Sequence, residues 1–268
     1  MASIPAQTTP TQIIGNKEHG FPMIENAWDF FSSKGTKAVF VSVGTSASPL
    51  AELDLLEMMG CPVNIFEPSA ANIMNWEKVK DVLKSRKAAD VKGDFDKEAL
   101  SKWVLPRNVV MHHELPSFYN GKAELNGESV TTVNVHDAVA KICTEMKVQE
   151  PRIDILKVDL SGNECNVLNT FLLEGYRPSL ILVNWSESPD TSYKSLSAAG
   201  NLQMLGYSLV GKNGNKYLYY FTNKNYYEMC SWEEINEYNK NPLVKVLVEH
   251  TVSMVKGKPE AAKNKTTS

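Results

Sequence analysis

The residues with the clearest potential for chemistry lie where two apolar stretches end. Gly44 directly follows the run from Ala38 to Val43, and Glu67 follows the run from Val63 to Phe66. A glycine after a strand allows a tight turn into a helix, whose first N–H groups can face a ligand. A carboxylate about 20 residues further on, at the tip of the neighbouring strand, can accept hydrogen bonds from two ribose hydroxyls. This combination predicts a nucleoside pocket; the alternative is a tight turn followed by a surface glutamate.

Histidine and cysteine spacing gives no comparable signal for a metal. His112 and His113 are adjacent, and adjacent residues at a strand end point to opposite faces, so the two rings do not converge on one ion. His136 precedes Asp137, which is more simply the N-cap of the following helix than the orienting partner of a base. No C-x-x-C pair occurs among the cysteines, which are Cys61, Cys143, Cys165 and Cys230. We therefore predict no metal site.

Alternating strands and helices must position the candidate residues. The helix after the first strand has Ser48 as its predicted N-cap, Pro49 at its first position and Gly60 at its end. Pro68 cannot continue a β-ladder, so the second strand stops at Glu67. Alternation of this kind predicts an α/β fold with a doubly wound, mostly parallel sheet. Its predicted strands are Ala38–Val43, Val63–Phe66, Asn108–Met111, Ile153–Val158 and Ser179–Val183.

The pattern changes near the end of this region. Tyr207–Val210 and Lys216–Phe221 flank a segment with an Asn-Gly turn, which predicts an antiparallel hairpin at one edge of the sheet. We expect one domain over residues 16–225, with C-terminal helices over residues 226–256 packed on it. The polar ends, residues 1–15 and 257–268, are predicted to be disordered.

Composition excludes several classes of function. The chain has 268 residues and a formal net charge of −3, with acidic and basic residues mixed along its length. Such a distribution gives no strong attraction to nucleic acid or anionic lipid. The N-terminus lacks the basic and apolar regions of a signal peptide, and no apolar run reaches about 18 residues. We therefore expect a cytoplasmic protein that binds neither nucleic acid nor membrane, with its oligomeric state left open.

Several segments resemble the ordered blocks of FkbM-type methyltransferases. These are class I S-adenosylmethionine (SAM) enzymes that mostly O-methylate sugars and related natural-product hydroxyls. The most specific block is Lys157–Glu164, which is similar to the family's K-x-D-x-E-G-x-E. The resemblance covers roughly residues 38 to 222 and implies a Rossmann-like fold with the antiparallel C-terminal hairpin. Its other blocks are Phe66–Pro68, Thr131–Val133, Ile153–Leu156, Val167–Leu168, the strand after Pro178, and Leu205–Tyr207.

The resemblance implies a SAM site over the carboxyl edge of the sheet and a hydroxyl acceptor on a glycan or small molecule. Methyl transfer is an in-line displacement, so the enzyme mainly aligns the reacting atoms, and a general base adds roughly 10²–10⁴-fold. Asp159 is the first candidate base and Glu187 the second; for each, a structural or solvated carboxylate is the alternative. The implied SAM contacts are Ser42, Gly44, Thr45 and Ser46, Glu67 and Pro68 at the ribose, Glu114 and Leu115 near the adenine, and Asp159 at the methionine end.

Three positions depart from the family pattern. Ser42 stands where the family usually has an aspartate, Ser161 replaces the first acid of E-G-x-E, and Asn184 replaces an acid at the end of the fifth strand. These changes favour an alternative, a catalytically impaired methyltransferase-fold protein that serves as a binding or structural interaction module. A nucleotide-sugar or NAD-binding oxidoreductase domain is a weaker third hypothesis, because the glycine turn lacks G-x-G-x-x-G.

Overall fold

The computed structural model describes residues 11–15, 20–25, 27, 31, 37–45, 49–85 and 108–221, with backbone alone for residues 82–85. Ser46, Ser48 and the predicted segments 226–256 and 257–268 lie outside these ranges. In chain order the strands are β1 (Thr11–Ile14), β2 (Phe21–Ile24), β3 (Phe40–Val43), β4 (Val63–Phe66), β5 (Val109–His112), β6 (Leu115–Ser117), β7 (Gly121–Leu125), β8 (Glu128–Asn134), β9 (Ile155–Val158), β10 (Leu180–Asn184), β11 (Tyr207–Asn213) and β12 (Lys216–Phe221). The helices are α1 (Leu50–Met59), α2 (Ala70–Ser85), α3 (Val135–Glu145), α4 (Glu164–Leu173) and α5 (Tyr193–Met204).

A seven-stranded sheet forms the centre of the fold, in the order β11-β12-β10-β9-β3-β4-β5. The five strands from β10 to β5 are parallel, whereas β12 runs antiparallel to β10 and β11 runs antiparallel to β12. Strand β3 is central, and its Ser42 lies beside Ile65 on one neighbour and Lys157 on the other. This is the Rossmann-like, mostly parallel sheet with an antiparallel C-terminal hairpin that the sequence predicted.

Apolar clusters cover both faces of the sheet. On one face Val41 and Leu156 pack with residues from α3, α4 and α5. On the other face Phe40 and Ile155 pack with residues from α1 and from β1 and β2. The central strands are therefore buried on both sides, which explains why they read as continuous apolar runs rather than as alternating ones.

The N-terminal hairpin differs from the sequence prediction. Residues 11–15 were predicted to be disordered, but Thr11–Ile14 pairs antiparallel with Phe21–Ile24. Ile14 is buried while the preceding three residues are exposed, so one side chain of this strand joins the core and the rest of the strand lies at the surface. The backbone N–H of Gly15 donates to the Asp54 carboxylate of α1 at 2.6 Å, which ties the hairpin to the domain.

Helix α1 ends as predicted but begins one residue later. Pro49 occupies the N-cap position instead of the first helical position, and Ser48, the predicted cap, lies outside the described residues. Gly60 ends the helix in the left-handed conformation, with φ 63°. An Asn-Gly turn at Asn126 and Gly127 joins β7 to β8 in a small sheet of order β6-β8-β7; both residues have positive φ, 51° and 82°.

Helix α3 begins earlier than expected. The N-cap is Asn134, whose side-chain oxygen accepts hydrogen bonds from the backbone N–H of His136 at 2.9 Å and of Asp137 at 3.3 Å. Asp137 instead lies in the first turn and accepts a hydrogen bond from Asn120. The prediction of Asp137 as N-cap was therefore wrong, because Asn and Asp are both favourable at a cap and Asn134 comes first along the chain.

Replacing Asn134 with alanine should remove the cap of α3. We expect the free energy of unfolding to fall by about 1 kcal/mol, because two backbone donors lose their acceptor. Urea denaturation followed by circular dichroism measures this change. Asn134→Ser is the matched control, since serine keeps a side-chain oxygen that can cap the helix and, like alanine, loses the hydrogen bond that the Asn134 amide donates to Phe118 O at 2.8 Å. It should retain most of the stability that the cap provides. Equal losses in the two variants would contradict the capping role.

Candidate functional site

The carboxyl edge of the sheet brings together the residues that follow its central strands. Gly44 follows β3, Glu67 follows β4 and Asp159 follows β9. Backbone hydrogen bonds continue past the strand ends: Gly44 N–H donates to Phe66 O at 2.9 Å, and Asp159 N–H donates to Val43 O at 2.8 Å. The predicted site residues on these strands therefore lie close together.

Gly44 makes the tightest backbone approach at this edge. Its φ is 76°, a conformation that favours glycine. A Cβ atom at this position would lie 2.3 Å from the carbonyl oxygen of Asp159 and 2.8 Å from its carbonyl carbon. The glycine that was predicted for a tight turn is thus also required for contact between the chain segments after β3 and β9.

Glu67 binds the turn that follows Gly44. Its Oε2 accepts hydrogen bonds from the backbone N–H of Thr45 at 2.9 Å and from the Thr45 hydroxyl at 3.0 Å. Its Oε1 accepts from the backbone N–H of Ser69 at 2.9 Å. Glu67 is 0% exposed and Thr45 is 3% exposed. Both oxygens of the carboxylate predicted to hold a ribose therefore already bind groups of the protein.

A buried lysine links three other parts of the site. The ammonium group of Lys157 lies 2.8 Å from Glu52 Oε1 and 3.2 Å from Asp159 Oδ2, and it donates to Gly44 O at 3.1 Å. Ser42 donates to the same Glu52 oxygen at 2.6 Å. Ser42, a predicted SAM contact, is therefore placed beneath the turn, where it supports Glu52.

The charge of Lys157 follows from its two acidic neighbours. Burial alone would lower the pKa of this ammonium group, because the charged form loses its hydration. Asp159 and Glu52 outweigh that effect, and the pKa of Lys157 lies above its ordinary value of 10.5. Lys157 is thus protonated at neutral pH, and its charge balances one of the two carboxylates it contacts.

Asp159 is held from two sides. Lys157 contacts its Oδ2, and the Asn184 side-chain amide donates to its Oδ1 at 2.8 Å. Asn184 occupies the position at which the resembled family usually carries an acid. An ionised acid could not donate this hydrogen bond. The asparagine that replaces the family's acid at position 184 therefore orients Asp159.

The loops after β9 and β10 are joined through Ser186. Its hydroxyl accepts from the backbone N–H of Gly162 at 2.6 Å, lies 3.2 Å from the Ser161 hydroxyl and donates to Glu164 Oε2 at 3.1 Å. The backbone N–H of Ser186 donates to Glu164 Oε1 at 2.9 Å. The last acid of the Lys157–Glu164 block thus fixes a loop, while neighbouring Glu187 is exposed.

The remaining predicted positions lie around this centre. Pro68 directly follows Glu67 and is buried, and Glu114 and Leu115 are half-buried after β5. His112 stacks on the Phe66 ring with centroids 4.5 Å apart, and burial, followed by the charge of Lys141, lowers its pKa. Within the described parts of the chain, no group of three or more His, Cys, Asp or Glu residues could hold a metal ion.

Glu52 is the site residue that the sequence analysis missed. It lies in the first turn of α1, is 0% exposed, and shares the buried side of the helix with Leu55 and Met59. The spacing of these three residues would have revealed an acid on an apolar helix face. Lys157 had a similar signal, since it is the one charged residue among the four residues of β9, all of which are buried.

Over the described ranges, no helix is long and apolar enough to cross a membrane.

No protein-family model matches the chain, and no curated protein matches it. Among solved structures, it is similar to a protein of the NADB-Rossmann superfamily from Streptococcus agalactiae, at 9% identity, 88% coverage of this chain, 89% of that chain and a TM-score of 0.36. It is also similar to a candidate tRNA methyltransferase from Streptococcus pneumoniae, at 11% identity, 90% and 92% coverage and a TM-score of 0.35. TM-scores this low do not establish a shared fold, so the classification as a Rossmann-like α/β sheet rests on strand order and direction.

Proposed function

We propose that the chain is a SAM-dependent O-methyltransferase that acts on a hydroxyl of a sugar, a glycan or a small hydroxylated metabolite. The observation that supports this best is the charge beneath the Gly44–Thr45 turn. Glu52, Glu67 and Asp159 lie there, each at most 5% exposed. The ammonium group of Lys157 contacts two of these carboxylates, Glu52 and Asp159. Three carboxylates and one ammonium carry a formal surplus of negative charge, which favours a cationic ligand.

SAM is a suitable ligand for this surplus of negative charge because its sulfonium centre is positively charged. The location of these charges agrees with SAM binding as well, since ligands of open α/β sheets bind outside the carboxyl ends of the strands. The residues that would hold SAM are those at this edge: Gly44 and Thr45 at the turn, Glu114 and Leu115 near the adenine, and Asp159 at the methionine end. Bound SAM would supply the methyl group, and the protein would supply alignment.

The contacts of the two candidate bases favour Glu187. Asp159 is paired with Lys157 and accepts from Asn184, and an opposite charge at this distance makes a carboxylate a weak proton acceptor. Glu187 is exposed on the loop after β10, where an acceptor molecule can reach it. In this proposal Glu187 takes the proton of the acceptor hydroxyl. The negative charge of Asp159 holds the sulfonium centre of SAM in place.

Calorimetric titration with SAM and with S-adenosylhomocysteine tests the proposed cofactor. We expect micromolar binding of SAM. We expect Asp159→Asn to weaken the binding of SAM by roughly tenfold, or about 1.4 kcal/mol. The same variant should affect the uncharged thioether of S-adenosylhomocysteine less, because only the sulfonium gains from the negative charge. Absence of binding of both ligands at millimolar concentration would refute the proposal.

Glu187→Gln is the companion variant for the reaction itself. It should leave SAM affinity unchanged, because Glu187 lies on the exposed loop and not beneath the turn. Turnover of a reactive hydroxylated acceptor should fall by roughly 10²–10⁴-fold. Unchanged turnover would remove Glu187 from the mechanism.

A second candidate function is a binding or structural interaction module without catalysis. The observation in its favour is that Glu67 and Asp159 both have partners within the protein, namely Thr45, Ser69, Lys157 and Asn184. Tight SAM binding without methyl transfer to any member of a panel of sugars and glycans would favour this function over the enzyme.

A further inference from the structure

We infer that Thr45 occupies the carboxylate lone pairs with which Glu67 would otherwise accept hydrogen bonds from the two ribose hydroxyls. The site should therefore bind nucleosides with and without the 2′-hydroxyl about equally well. This inference rests on the proposed function and concerns the same site. It assigns Glu67 a positioning role, in which the carboxylate holds the glycine turn against β4, and it makes Thr45 the residue that sets selectivity for the sugar.

The assignment follows from counting lone pairs. An ionised carboxylate offers about four acceptor sites, two on each oxygen. The N–H and hydroxyl of Thr45 take both sites on Oε2, and the N–H of Ser69 takes one on Oε1. One site remains, whereas recognition of two neighbouring hydroxyls needs two. Glu67 is also 0% exposed, so the remaining site lies beneath the surface.

The turn is fixed in this position by the residue before Thr45. Gly44 donates to Phe66 O at 2.9 Å and packs against the backbone of Asp159. Its carbonyl oxygen accepts from Lys157 at 3.1 Å. Thr45 therefore cannot leave Glu67 without a disturbance of the links between β3, β4 and β9.

The consequence concerns discrimination between ligands. A site built to hydrogen-bond a hydroxyl rejects an analogue that lacks it, because its own polar group is then left unpaired. Glu67 already has partners, so loss of the ribose 2′-hydroxyl leaves no group of Glu67 unpaired. The adenine and the methionine end must then provide most of the binding free energy.

The first test compares S-adenosylhomocysteine with its 2′-deoxy analogue by calorimetry on the full chain. For the unmodified protein we expect dissociation constants within roughly threefold of each other, and for Thr45→Ala a preference for the ribose form of roughly tenfold, because one site on Oε2 becomes available. Thr131→Ala, at an exposed strand position, is the matched control and should keep the original ratio. A tenfold ribose preference in the unmodified protein, or an unchanged ratio in Thr45→Ala, would overturn the inference.

The second test needs no ligand and separates this inference from the proposed function. Glu67→Gln places an amide NH₂ against donors of Thr45 or Ser69, so the melting temperature without ligand should fall by roughly 5 °C or more. Glu187→Gln makes the same chemical change at an exposed carboxylate and should leave the melting temperature unchanged. Equal melting temperatures would overturn the positioning role of Glu67. If neither nucleoside binds, the proposed function and the statement about ribose both fail, while a fall in melting temperature still supports the positioning role.

Discussion

Gly44→Ala is expected to destabilise the folded domain severely. The new Cβ would lie 2.3 Å from the carbonyl oxygen of Asp159, so the segments after β3 and β9 would have to separate. The left-handed conformation, with φ 76°, adds about 1–2 kcal/mol for a residue with a side chain. We expect a total loss of more than about 4 kcal/mol, a large part of the stability of a typical domain. Soluble yield, circular dichroism and urea denaturation measure it.

Gly127→Ala separates backbone conformation from steric overlap. Gly127 also has a positive φ, 82°, but a Cβ there would meet no atom within 4 Å. This variant should lose only about 1 kcal/mol. If the two alanine variants were equally stable, contact with Asp159 could not be the reason for the glycine at position 44.

Lys157→Met is expected to cause the second largest loss, about 3–5 kcal/mol at pH 7. Glu52 and Asp159 would remain in the interior without the ammonium group that lies within 3.2 Å of each. Removal of one partner from a buried ion pair leaves an uncompensated charge, which explains the size of the effect. Urea denaturation measures the difference between the variant and the unmodified protein.

The control for this variant is a lysine in an exposed ion pair. Lys212 pairs with Asp190, and their side chains are 44% and 48% exposed, so Lys212→Met should cost at most about 1 kcal/mol. The pH dependence gives a further check. Because the folded pKa of Lys157 is raised, its contribution is fully present below pH 10.5 and is lost as the pH rises through the higher folded pKa. A deficit of Lys157→Met that disappeared between pH 7 and 9 would contradict this account.

The fold was largely predictable because its signals are local. The strands β3, β9 and β10 are buried on both faces and therefore read as apolar runs, and Gly60 ends α1 in a conformation that favours glycine. The N-terminal hairpin was missed because its stability comes from contacts with α1 and with strands far along the chain. The small sheet β6-β8-β7 was not predicted, since most of its residues are exposed or half-buried and its strands therefore lack a continuous apolar run.

The location of the site was predictable from the sequence, but the contacts between its side chains were not. Residues after parallel strands meet at one edge, so the proximity of Gly44, Glu67 and Asp159 followed from the strand pattern. The partner of each side chain depends on register and on helix placement, which one sequence does not specify. The bonds from Thr45 to Glu67 and from Lys157 to Glu52 are of this kind, and they determine which carboxylates a ligand could use.

The N-terminal hairpin also constrains how the protein folds during its synthesis. Strand β2 packs against β11 and β12, and the carbonyl oxygen of Gly20 accepts a hydrogen bond from the side chain of Asn213, 193 residues later. At roughly 5–20 residues per second, a ribosome needs on the order of 10 s to make the intervening chain. During that interval Phe21 and Met23, both buried in the finished domain, have no final partners among β11 and β12. Strand β2 is thus synthesised well before two of the strands that cover it, and part of its apolar surface stays without its final partners until β11 and β12 have been made.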